Sequence, residues 1–197
     1  TICNGGRTWA MHDSPYEHSH GSAEFPVRVV RKAASGPNVW NRGKEPADWW
    51  QELINRHGHV GPWNVLGYRM GRYILRELGT PWGSHEYVIT AHIPPTTPYS
   101  CILDGLAVGT GNSEGRLDLL WAEVALPELT HVSVRRASDR KLLLVFLPRP
   151  EYLERISQGT VRDLEQQSRE CEKLAESELF EVRWLEPALQ GPSYLRL

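Results

Sequence analysis

Two clusters of side chains in this 197-residue chain have the types and spacing that chemistry needs. The first is His57-Gly58-His59, two imidazoles around one glycine. In an extended or turning backbone, residues i and i+2 project to one side, so both rings can converge on a single ion. Gly58 lets the chain bend there without a side-chain clash. The bland alternative is polar punctuation before a helix. The second cluster is Cys101 and Asp104, within PYSCILDGLAVGTG (98–111). If a helix begins near Ser100, these two share a face. A thiol at a helix start has a depressed pKa and serves as a soft ligand or a nucleophile. Asp104 could then orient an imidazole or accept a proton. Here too there is an ordinary reading: a buried cysteine and an aspartate that caps the helix. A further His-x-His, His18 and His20, lies in a polar stretch and is a second metal candidate.

The elements that must position these groups follow from periodicity. EPADWWQELIN (45–55) reads as a short helix with Trp49, Trp50, Leu53 and Ile54 on one face and Pro46 at its first helical position. Pro62 opens a second helix, in which Trp63, Leu66, Met70, Tyr73, Ile74 and Leu78 recur at helical spacing, and Gly79 is a fitting C-terminal cap. Gly67 and Gly71 cost this helix roughly 1 kcal/mol each relative to alanine, which points to close backbone packing and makes a homodimer a reasonable expectation. Strands are expected in HEYVITAHI (85–93), RLDLLWAEVAL (116–126), HVSVRRA (131–137) and KLLLVFL (141–147), the last two joined by a short turn. From Pro150 the chain turns helical, with Thr160 and Asp163 as a capping-box-like start for a helix that buries Cys171. The pattern is that of an α+β domain with an antiparallel or mixed sheet packed on helices, without regular βαβ units. Residues 1–45, rich in Gly, Ser, Pro, Asn and His, read as an irregular N-terminal arm with one short strand at FPVRVV (25–30), and residues 46–197 as the domain.

Composition sets limits on partners. A formal charge of −2 argues against nucleic acid or acidic membrane surfaces as partners. No run approaches the roughly 18 apolar residues of a membrane span. The three cysteines, Cys3, Cys101 and Cys171, are too scattered for a disulfide framework and favour a reducing, cytoplasmic compartment. No secretory signal pattern is visible, although Thr1 in place of Met leaves a trimmed leader open. The eight tryptophans are read as core and interface contacts. GTGNSEG (109–115) lacks the lysine of a phosphate-binding P-loop.

The segments RHGHVGPWNVLGYRMG (56–71) and PYSCILDGLAVGTGNSEGRL (98–117) together resemble the two signature segments of the FmdE family, named for a component of formylmethanofuran dehydrogenase, in the same order and at similar separation. The resemblance covers roughly residues 46–185. It implies an α+β core akin to the catalytic domain of glyceraldehyde-3-phosphate dehydrogenase, with a metal-associated cleft where the two segments meet. It further implies His57, His59 and Cys101 as metal ligands, and Asp104 as the group behind them or the acid–base residue, with Cys101 and Asp104 the catalytic pair. Relatives often carry cysteine where this chain has Gly61 and Asn112, and some carry a C-terminal zinc-finger module, which is not expected in these 197 residues because no cysteine follows Cys171. Two imidazoles and one thiolate would remain, a set that suits zinc first, then nickel or iron, with an open position for water.

Three functions are compatible with this reading. The first is a metal-binding FmdE-like protein, an enzyme or an accessory subunit in one-carbon or redox metabolism, with Asp104 or His92 handling a proton. The second is a non-catalytic metal carrier or structural subunit of a larger enzyme complex. The third is a metal-independent thiol enzyme using Cys101 with His57 or His59 as base.

Overall fold

The computed structural model describes residues 43–157 and 163–185. Most of the expected N-terminal arm, with FPVRVV, His18 and His20, and the Thr160 half of the expected capping box lie outside these residues. Among the described residues the order is α1 (Trp49–His57), α2 (Pro62–Leu78), β1 (Tyr87–Ile93), α3 (Cys101–Thr110), β2 (Leu119–Glu123), β3 (His131–Arg136), β4 (Leu142–Pro148), α4 (Pro150–Ser157), α5 (Leu164–Lys173), α6 (Glu176–Leu179) and β5 (Phe180–Trp184). Two short 3-10 turns, Glu114–Arg116 and Pro127–Leu129, flank β2.

The strands form one mixed sheet in the order β2-β1-β3-β4-β5. β1 pairs antiparallel with β3, β3 with β4 and β4 with β5, whereas β1 and β2 run parallel, with Ile89 opposite Leu119. The α+β class therefore holds. The expectation of no βαβ unit does not, because β1, α3 and β2 form one: parallel neighbours need a crossover, and α3 supplies it. This crossover is hard to read in sequence. CILDGLAVGT is nearly apolar all round, so it lacks the polar face that marks a surface helix.

Alternation along the strands divides the sheet faces. Ile89, Ala91 and Ile93 of β1, Val132 and Val134 of β3, and Leu144 and Phe146 of β4 join one buried cluster with Leu66, Met70 and Ile74 of α2 and Ile102 and Leu106 of α3. Each fully buried aliphatic side chain contributes about 1.5–3 kcal/mol, and this cluster holds the helices against the sheet. The intervening residues, Thr90 and His92 of β1 and His131 and Ser133 of β3, belong to the opposite face. Cys171 is fully buried, as expected for a small hydrophobe. Of the described tryptophans, Trp50 and Trp63 are core residues, while Trp121 on the edge strand is 54% exposed.

Helices α2 and α3 pack backbone to backbone. A Cβ added at Gly105 would lie 2.1 Å from the Asn64 carbonyl oxygen, and one at Gly67 would lie 2.2 Å from that of Ile102. Gly71 likewise faces Gly109. The glycines that suggested a homodimer are thus occupied within the chain. Their consequence is to seat the start of α3, which carries Cys101 and Asp104, directly against the start of α2. No helix among the described residues is long and apolar enough to cross a membrane.

Candidate metal centre

His57 is the last residue of α1, and the helix ends there because Gly58 takes the left-handed conformation, at φ 89°, with its N–H bonded to Ile54 O at 2.8 Å. The turn carries His59 back alongside His57, and the ring centroids stand 4.7 Å apart. The two imidazoles do lie side by side, through a helix stop rather than an extended strand. Arg56 and His57 also occupy the negative end of α1, where positive charge is favoured.

The loop that follows is pinned from three directions. Ser168 Oγ of α5 donates to Val60 O at 2.9 Å, and Tyr152 Oη of α4 donates to Pro62 O at 2.7 Å. Asn64 is fully buried: its Oδ1 accepts from Gly61 N at 2.8 Å while its Nδ2 donates to Cys101 O, also at 2.8 Å. One side chain therefore closes the start of α2 and ties it to the first residue of α3. Its signal in the sequence is an amide at the third position of a helix that opens with Gly-Pro, the half of a capping box that a glycine N-cap permits.

Asp104 lies in the first turn of α3 and reaches across to α1. Its Oδ2 is 2.7 Å from His57 Nδ1, and its Oδ1 accepts from Arg56 Nε at 2.6 Å. Arg56 Nη2 extends on to Glu114 Oε2 at 3.4 Å. Sequence spacing singled out Asp104 and His57 but not Arg56 or Glu114. These two become meaningful only when α1, α3 and the turn after α3 are brought together.

Burial, followed by the neighbouring His57, lowers the His59 pKa, so this ring is a neutral donor at ordinary pH. Cys101 behaves differently from expectation. Burial first, and the Asp104 charge second, push its thiol up rather than down. The helix start offers little help, since the N–H groups of Cys101, Ile102 and Leu103 are already bonded to the carbonyls of Pro98, Tyr99 and Ser100. Among the described residues, no three His, Cys, Asp or Glu side chains are grouped to hold a metal ion. What the donor set fits is an imidazole pair, one ring neutral and the other held by a carboxylate at its far nitrogen.

Two further residues named from the sequence have partners of their own. Asn112 lies beyond the end of α3, about 15 Å from Cys101 by helix rise. Its Nδ2 donates to Tyr87 O and Asp118 O. Its side chain is thereby committed to the backbone beside β1 and β2. His92 is also remote in orientation: it stacks on His131 across β1 and β3, with centroids 4.0 Å apart, on the sheet face away from the helices. Its Nε2 lies 3.0 Å from Ser133 Oγ on that face.

No curated protein matches the chain. Residues 56–188, which include both histidines, Cys101, Asp104 and every element from α2 to β5, match the family described as FmdE, Molybdenum formylmethanofuran dehydrogenase operon, and the chain belongs to that family.

Proposed function

We propose that the chain is a divalent-metal-binding FmdE-family subunit, cytoplasmic and working within a larger enzyme complex, with residues 46–197 as its functional domain. His57 and His59 would supply two imidazoles; with Cys101 they do not form a ready group of three, so the thiol would join as a third donor only as a thiolate. The observation that carries this reading is the 2.7 Å contact between His57 Nδ1 and Asp104 Oδ2, beside a second imidazole. A carboxylate behind a histidine directs the opposite nitrogen outward and raises its basicity. A bound divalent ion would supply Lewis acidity at this position. The chain's own residues orient the donors: Asp104 holds His57, Asn64 holds the start of α3, and Tyr152 and Ser168 hold the loop that carries His59. Zinc suits a mixed nitrogen and sulfur set best, with nickel or iron as alternatives.

Elemental analysis of the purified full chain, together with zinc titration calorimetry, tests the reading. About one equivalent of metal is expected, lost in His57→Ala and His59→Ala with folding intact. Metal-free protein that takes up no zinc would overturn it. Retention of metal in Cys101→Ala would remove the thiol from the donor set and leave the histidine pair. A metal-independent thiol enzyme needs a thiolate that burial and Asp104 oppose. Rapid alkylation of Cys101 that chelators do not alter would favour that reading instead.

A further inference from the structure

We infer that Arg56 is a positioning residue for His57, acting through Asp104 to select the His57 tautomer that has its hydrogen on Nδ1 and a free lone pair on Nε2. The argument begins with what each group can donate. A carboxylate can only accept, so the His57 nitrogen that faces it must carry the hydrogen. A protonated carboxyl could instead donate to Nδ1, and a carboxylate rotated away would leave Nδ1 without an acceptor; either lets the ring hydrogen move to Nε2, which leaves no outward lone pair.

Arg56 opposes both alternatives. Its Nε–H engages Asp104 Oδ1 at 2.6 Å, which leaves Oδ2 turned towards the imidazole, 2.7 Å away. The guanidinium is itself steadied at a second point, Nη2 to Glu114 Oε2 at 3.4 Å. The four groups come from three places: Arg56 and His57 from the last turn of α1, Asp104 from the first turn of α3, and Glu114 from the 3-10 turn after α3. A guanidinium suits the task because its donors are fixed in a plane, whereas a lysine ammonium is a single mobile charge. The tautomer assignment does not depend on a metal; its consequence for metal affinity rests on reading His57 as a donor.

Nitrogen-15 NMR of metal-free full chain, at about pH 8.5 and thus some two units above the ordinary imidazole value, reads the tautomer directly. In the unaltered protein His57 should show a protonated Nδ1 and an unprotonated Nε2. Arg56→Gln should move both resonances towards the average of the two tautomers, and Arg56→Lys should fall between. His85, held by a different carboxylate, Asp118, should keep its shifts in both variants and so report that the fold is intact. Zinc affinity should fall about tenfold or more in Arg56→Gln, the usual cost of losing a group behind a ligand. Unchanged His57 shifts in Arg56→Gln would overturn the inference and leave Arg56 as a surface ion pair. If the shifts move as expected but no form of the protein takes up zinc, the positioning role stands and the metal reading falls.

Discussion

Two histidine–aspartate pairs flank helix α3, and their hydrogen bonds are alike: His57 Nδ1 to Asp104 Oδ2 and His85 Nδ1 to Asp118 Oδ2 are both 2.7 Å. Their surroundings differ. Asp118 is fully buried just ahead of β2, where its Oδ1 accepts from Ser113 N at 2.8 Å. Arg116 Nε stands 3.3 Å from Oδ2 as an ion pair rather than as a directed hydrogen bond. Asp104 is 26% exposed, and both its partners are side chains. A second imidazole lies beside His57, while His85 has none among the described residues. The same dyad therefore serves two ends. Where the carboxylate also holds backbone and is sealed in, it fastens the turn after α3. Where it holds only side chains at a surface with another imidazole nearby, it orients a partly exposed ring, as the proposed metal site requires.

This contrast can be broken by measurement. Asp118→Ala leaves the Ser113 N–H without its acceptor and Arg116 without its counter-ion, and should cost about 3–5 kcal/mol in urea unfolding, the range for breaking a buried charge pair. A loss under about 1 kcal/mol would mean that the two pairs are equivalent. Gly105→Ala tests the packing beneath the centre. Its Cβ would sit 2.1 Å from a backbone oxygen, so a loss of about 3 kcal/mol or more is expected, at the upper end of overpacking costs.

Asp104→Ala should cost less than about 1 kcal/mol of stability, as exposed ion pairs do, yet weaken zinc binding about 10- to 100-fold. Equal effects on stability and affinity would erase the distinction. Gly61→Cys sharpens it from the other side. A Cβ at 61 meets nothing nearer than 3.4 Å and lies 3.9 Å from His59 Nε2, in an extended backbone that any residue tolerates. The substitution should leave stability nearly unchanged and raise zinc affinity about tenfold or more, read by competition with a chelator.

The smallest expected effect is on pH dependence. Burial, then His131 and then Arg135, depress His92 to about 4. His59 is depressed as well. A folded-state value below the unfolded one means that the unfolded chain binds more protons in this window. Stability is then complete above about pH 6.5 and declines as pH falls towards 4. His92→Gln should flatten that slope in unfolding curves taken across the window, and an unaltered slope would assign the decline to other groups.

Much of the fold was legible because its signals are local. Pro62, Gly79 and the apolar spacing of α2 mark a helix in any context, and the alternation in YVITAHI and HVSVRR marks strands. The parallel β1–β2 pair was not, since pairing direction depends on where α3 packs rather than on residues within the strands. The same divide runs through the site. His57, His59, Cys101 and Asp104 could be singled out by spacing, and the FmdE resemblance gave them a shared setting. Arg56, Asn64 and Glu114 could not, because nothing in an arginine before HGH or an asparagine after GPW states what it will meet.

By itself, then, the sequence determined the residue types that can carry chemistry, the helices that present them and the family to which they belong, since these depend on short-range backbone preference and on motif order. Only the tertiary structure decided which carboxylate faces which imidazole, that Cys101 is a buried thiol rather than an activated one, and that Asn112 holds backbone beside β1 while His92 stacks on His131. Those outcomes come from desolvation and from contacts between residues some fifty positions apart, and both arise only once α1, α2 and α3 have packed.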